Sequence, residues 1–275
     1  GPEVPRAAFR SSWSDRPVLL VGLGDSITAG FGAAPPALSY FNRLVKNPPD
    51  EFPEMRGLCL SAVLPRLEAL NLARSGSNSI ENLEILLPKL PVQSPDVFGI
   101  VVMTTGGNDI IHYYGRTPPR EGAMYGATFE QAKPWIANFR GRLLQTIAEI
   151  KKRFPGGCAL FIGNIYDPTD GVGDPSHAGL PDWPDGLRIL DAYNRIIADC
   201  AEADPDVHLV DIRSTFLGHG IHCRQFWRPF YRPDDPHYWF ASNLEDPNNR
   251  GYDVIRRLFL IEMASVLPAR LAKTD

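Results

Sequence analysis

A three-layer α/β/α sandwich around a roughly five-stranded parallel sheet is the fold this chain predicts. Two observations predict it. Five short, nearly continuous apolar runs are spread along the chain, and amphipathic helical patterns fall between them. Apolar runs of this kind suit strands buried on both faces, and strand–helix alternation marks a parallel sheet covered on both sides.

The first run, 17–24 (PVLLVGLG), ends in a glycine-rich turn that carries Asp25 and Ser26. The others are 68–73 (EALNLA), 97–105 (VFGIVVMTT), 158–166 (CALFIGNIY) and 207–212 (VHLVDI). Segments 37–46 and 79–89 carry weaker helical patterns. In 135–154, Ile136, Phe139, Leu143, Ile147, Ile150 and Phe154 recur at spacings of three and four, which is one face of a helix. Segment 186–203 does the same with Leu190, Tyr193, Ile197 and Cys200, and 252–267 reads as a last helix. Four long connections remain, at 46–66, 112–130, 167–185 and 213–250. Long loops inside a compact domain usually carry function. No internal repeat or composition shift divides the chain. Residues 17–268 therefore read as one domain, with 1–16 as an N-terminal extension and 269–275 as a C-terminal tail.

Composition narrows the function classes. The 275 residues are 44% hydrophobic and 22% charged, as in an ordinary soluble globular protein, and the net charge is −4. That balance argues against a nucleic-acid partner. No apolar run approaches the roughly 18 residues of a membrane span. Gly1-Pro2 resembles a protease-cleavage scar, and a periplasmic or secreted location is favoured over a cytoplasmic one. The four cysteines form no CxxC pair. Cys158 and Cys200 read as small buried hydrophobes, and a Cys59–Cys223 disulfide is left open. Composition is silent on oligomeric state.

The turn VGLGDSITAGFG (21–32) poses the first chemical question. A dinucleotide fingerprint fails at its third glycine, a P-loop lysine is absent, and no G-x-S-x-G elbow occurs. What remains is a small polar pair at the carboxyl end of a parallel strand, where open α/β sheets place their ligands. A serine there opens the next helix, among backbone N–H groups that point outward.

Further blocks decide between a helix cap and a nucleophile. GDSIT contains Gly24, Asp25 and Ser26; NLARSGSNS (71–79) contains Gly76; GGND (106–109) contains Asn108. Each follows its own strand candidate. In this order the blocks make the chain resemble the SGNH hydrolase family, also called the GDSL family. The resemblance spans 18 to about 260. It implies a flavodoxin-like sandwich and a serine esterase with no metal or organic cofactor. Ser26 would be the nucleophile, and the backbone N–H groups of Ser26 and Gly76 with the Asn108 amide would hold the oxyanion.

The base is harder to place. The resemblance calls for D-x-x-H, then Pro, then Gly and an aromatic as the last helix begins. DDPH (234–237) supplies Asp234 and His237 at the right spacing. NLEDPNNRGY (243–252) carries the Pro-Asn-x-x-Gly-Tyr ending, with Asp246 where the His would stand and Asn243 where the Asp would stand. A carboxylate of ordinary pKa near 3.9 is a poor base for a serine, and imidazole near 6.5 a good one. His237 is therefore expected to be the base and Asp234 its orienter, with Asp235 in reserve. About nine residues would be inserted before PNNRGY.

Other residues are candidates for binding. Asp25, His112, His222 and Trp239 are expected to contact substrate. His219 and His222 are expected at the pocket wall, one of them as fallback base. Asp167 and Asp170 read as turn residues. The Arg- and aromatic-rich loop 222–240 reads either as self-packed surface or as a binding rim. The expected substrate is a small-molecule or carbohydrate ester with a short acyl group such as acetyl. The rivals are a thioesterase or lysophospholipase of the same family, and a non-catalytic carbohydrate-binding protein on the same scaffold.

Overall fold

The computed structural model describes residues 1–272. Its centre is a parallel sheet of five strands: β1 (Val18–Gly24), β2 (Leu67–Asn71), β3 (Phe98–Thr104), β4 (Cys158–Gly163) and β5 (Val207–Val210), in the order β2-β1-β3-β4-β5. All five expected strands form. β1, β3 and β4 are buried along their whole length. β2 is not, because it is an edge strand: Glu68, Ala69 and Asn71 are exposed and Leu67 and Leu70 half-buried.

Eight α-helical segments follow in chain order: α1 (Ser26–Ala29), α2 (Tyr40–Val45), α3 (Ser79–Glu81), α4 (Gly107–Ile111), α5 (Phe129–Arg153), α6 (Gly186–Ala203), α7 (Ile212–Phe216) and α8 (Asn249–Leu271). β1 shows how the layers divide. Val18 and Leu20 face the core built with α2 and α8, while Leu19, Val21 and Leu23 face the core built with α5 and α6. That is the period of two of a strand.

The helices differ in length from their sequence pattern for local reasons. α5 starts six residues early because Thr128 and Gln131 form a reciprocal capping box, and Pro134 is absorbed in the second turn. α8 starts at Asn249, because the Asn248 side chain accepts from the N–H groups of Arg250 and Gly251 at 3.0 Å each. It runs to Leu271, into the expected tail, whose residues 273–275 lie outside the described part. Residues 1–16, expected as an extension, pack on the body: Val4 and Trp13 are buried. All four cysteines are buried and free, so Cys59 and Cys223 are not joined. Among the described residues no helix is long and apolar enough to cross a membrane.

Connection 46–66 serves α8. Fully buried Arg256 donates to both carboxylate oxygens of Glu51, at 2.6 and 2.8 Å, and to Asp253. Arg257 and Arg43 also pair with Asp253. Arg256→Ala should therefore cost about 3–5 kcal/mol, since it strands buried carboxylates without their partner. The check is urea unfolding, with a lower midpoint at an unchanged slope.

Candidate active site

Strand order places the site. The chain leaves β1 toward β2 on one side and resumes at β3 on the other, so a crevice opens beyond the carboxyl ends of β1 and β3. Gly24 ends β1 with φ +117°, and a Cβ there would lie 1.9 Å from the Thr104 carbonyl oxygen. Only glycine lets β1 end flush against β3. Asp25 then caps α1: its N–H donates to Thr104 O at 3.1 Å, and its carboxylate accepts from Ile27 N–H and from the Thr104 hydroxyl. Ser26 is the first residue of α1, so its N–H precedes the helical ladder, and among the described residues it has no partner.

The loop after β2 is bound to the same place. Arg74 N–H donates to Gly24 O at 3.0 Å, and the Ser77 hydroxyl donates to the same oxygen at 2.7 Å. The Asn108 amide on α4 donates to Ser77 O at 2.9 Å, and among the described residues its second N–H has no partner. Asp109 accepts from the Ser79 N–H and hydroxyl, with Arg142 3.6 Å away. Gly76 stands at the exposed tip with φ +80°, and no protein atom lies within 4 Å of where its Cβ would be. Backbone conformation, not crowding by the protein, requires glycine here. Among the described residues its N–H has no partner.

The last wall comes from 240–248. A bridge between Phe240 and Pro247 closes a turn in which Asn243 Oδ1 accepts from the N–H groups of Glu245 and Asp246. The Asn243 amide donates to Asp246 Oδ2 at 2.7 Å. Leu244 adopts a left-handed conformation, φ +65°, and the Tyr114 and Tyr166 hydroxyls both donate to Glu245. Asp246 is thereby held with its carboxylate buried and facing Ser26. Burial pushes its pKa up, while the Ser26 hydroxyl and the Asn243 amide pull it partly back. Ser26 is thus near enough to act on the carboxylate, yet Asp246 Oδ1 has no hydrogen bond of regular geometry. Such contacts often tighten only with substrate.

Behind Ser26 lies a cavity of about 160 Å³. Ile27, Ile110, Ile165, Leu187, Leu190 and Trp183 line it. Three of the four long connections build it, supplying Tyr114 and Tyr125, then Pro168 through Trp183, then Ile221, Leu244 and Glu245. Asp170 ties two of these together by accepting from the N–H groups of Gly218, Gly220 and His222. It does more than shape its own turn, whereas Asp167 caps Thr169 and Gly171 locally.

The GDSL-like Lipase/Acylhydrolase family matches residues 23–254. The chain belongs to this family. It is accordingly a carboxylic ester hydrolase in general class. Solved structures share the fold. An extracellular lipase from Streptomyces rimosus aligns at TM-score 0.53 and 18% identity, over 90% of this chain and 99% of its own. An acetyl xylan esterase from Geobacillus stearothermophilus aligns at 0.53 and 20%, over 91% and 95%. A phospholipase A1 from Streptomyces albidoflavus NA297 aligns at 0.52 and 19%, over 92% and 99%. A search of curated proteins found no match.

Against this family background the histidines fall differently from expectation. His237 points outward: its side chain is 61% exposed and its Nδ1 pairs with Asp235, which Arg250 also holds. Asp234 is exposed, and neither residue lines the cavity. Asp235 takes the orienting contact expected of Asp234, but away from Ser26. His219 is buried, stacked on Trp239, with Nδ1 against the His237 carbonyl. Trp239 is core, not a substrate contact. His222 is buried against Asp174 at 2.8 Å, and His112 stands beside Tyr113, both outside the cavity lining. Of the four expected binding residues only Asp25 lines the cavity. Sequence reasoning passed over Asp246 and Asn243, although their register with PNNRGY marked them.

Burial pushes the Asp25 carboxyl up to about 7; its hydrogen bonds oppose this and the Asp246 charge adds to it. The folded protein therefore holds this proton longer than the unfolded chain, where an Asp ionises near 3.9. The Asp25 contribution to stability is intact below about 4 and is lost as pH rises toward 7. Asp25→Asn should raise Tm at pH 8 and leave it nearly unchanged at pH 4.5. Thermal unfolding at both values checks this, and an equal shift at both would contradict it.

Proposed function

We propose that this hydrolase cleaves esters whose acyl part is an apolar group larger than acetyl, with Ser26 as the nucleophile. The observation that carries the reading is Ser26 at the mouth of an apolar cavity, beside three unengaged donors. Ser26 Oγ attacks the acyl carbon while the apolar part of the acyl group fills the space between Ile110, Ile165, Leu187 and Trp183. The developing oxyanion is held by the N–H groups of Ser26 and Gly76 and the free N–H of Asn108. These donors are fixed before substrate arrives, which is what makes such a hole effective. Water then releases the acid from the acyl-enzyme.

Enzymes that act on acetyl groups and on phospholipids share this fold, so acyl length is a matter of cavity rather than scaffold. An acetyl group would leave the cavity unfilled, which weighs against the carbohydrate acetyl ester expected from sequence. The same cavity would take the acyl chain of a thioester or lysophospholipid, and matched oxygen and sulfur esters distinguish these.

Two outcomes are expected. Across p-nitrophenyl esters from acetate to decanoate, kcat/KM should peak beyond acetate; a maximum at acetate would overturn the substrate class. A fluorophosphonate should label Ser26, and Asn108→Ala should lower kcat by on the order of 10²–10³ with little change in KM. An unlabelled Ser26 in folded protein would favour the non-catalytic reading.

A further inference from the structure

The residue that faces Ser26 is a carboxylate. We propose that Asp246, not a histidine, takes the proton from Ser26, and that Asn243 is its positioning residue. This rests on Ser26 as the nucleophile.

Three observations carry it. Asp246 stands at the turn that leads into α8, two residues before the capping Asn248, and faces Ser26. Its Oδ2 is held by Asn243 while Oδ1 is buried without a regular partner, so one oxygen is anchored and the other is open to a proton. His237 and His222 are each turned to another carboxylate, and His219 is stacked in the core.

Desolvation answers the objection that a carboxylate is too weak a base. Water stabilises the charged form, so its removal raises proton affinity. The influences on Asp246 are burial, the Ser26 hydroxyl and the Asn243 amide, with no histidine or cation among them. The titratable groups that feel its charge are Asp25 at the end of β1, Tyr114 and Tyr166 on the cavity wall, and Tyr252 on α8. Glu245 adjoins it in sequence, and its carboxylate accepts from the Tyr114 hydroxyl while its carbonyl accepts from the Tyr166 hydroxyl.

The proton balance is simple. As Ser26 Oγ bonds to the acyl carbon, its proton passes to Asp246 Oδ1 and the carbonyl electron pair moves onto the oxyanion. The carbonyl re-forms, the C–O bond to the alcohol breaks, and Asp246 returns the proton to the departing oxygen. A water then attacks the acyl-enzyme and gives a proton to Asp246, which passes it to Ser26 Oγ as the acid leaves.

The test is the pH dependence of kcat/KM, on a p-nitrophenyl ester of the preferred length, for the wild type and five variants. Asp246→Asn should lose about 10²–10⁴ in rate, with fold checked by circular dichroism. His237→Ala should stay within about twofold of wild type, since nothing in the mechanism touches it. Asn243→Ala should keep KM, lower kcat, and move the acid limb to higher pH, because the lost amide had favoured the ionised carboxylate. The double variant Asn243→Asp with Asp246→His should exceed Asp246→Asn and show an acid limb near the imidazole value of about 6.5. A wild-type rate in Asp246→Asn, or a loss of hundreds-fold in His237→Ala, would overturn the base assignment. A wild-type rate in Ser26→Ala would instead overturn the nucleophile, which separates the two readings.

Discussion

The Asp109 carboxylate is the interaction on which the rest of the site depends. It is completely buried, and burial pushes its pKa up despite the Ser79 hydrogen bonds and the nearby Arg142. A charge in that position is tolerable only if its partners stay in place. The Ser79 partner sits thirty residues away, at the start of α3, just after the loop that follows an edge strand. Holding Ser79 fixes Ser77, and Ser77 bonds both the end of β1 and the Asn108 amide. One buried group thus sets the distance between the loop of Gly76 and the helix of Asn108, with Ser26 between them. Backbone donors on such loops would otherwise move, and the proposed oxyanion hole requires them to be rigid.

A second layer of polar anchoring supports the cavity. Much of its wall is irregular chain, which has no hydrogen-bond ladder of its own. Asp170 and the Tyr166 hydroxyl tie the connection after β4 to the one after β5, and the Tyr114 hydroxyl ties in the connection after β3 through Glu245. Tyr114 and Leu244 are both held in left-handed backbone conformations, which persist only where the surroundings enforce them.

That Ser26, Gly76 and Asn108 would come together was legible because each sits in a short motif just beyond an apolar strand. A parallel sheet brings all strand ends to one edge, so motif and topology agree without long-range knowledge. The residue that faces Ser26 was not legible. DDPH and NLEDPNNRGY each offered half of the expected pattern. Intrinsic chemistry favoured His237, and the register of α8 favoured Asp246. Register prevails in the structure because Asn248 caps α8 and Phe240 bridges Pro247, which fixes position 246 over the strand ends. Asp235 and Arg250 then hold His237 at the surface.

The sequence by itself determined the parallel sheet, the two cores and the three blocks at the strand ends. These depend on apolar periodicity and on glycines that the backbone requires, and both are local properties. Only the tertiary structure decided which side chain meets Ser26, what size of group the cavity accepts, and why Asp109 is buried. Each of these is a distance between segments far apart in sequence. Desolvation, which raises the proton affinity of the Asp246 carboxylate, exists only once those segments have closed around it.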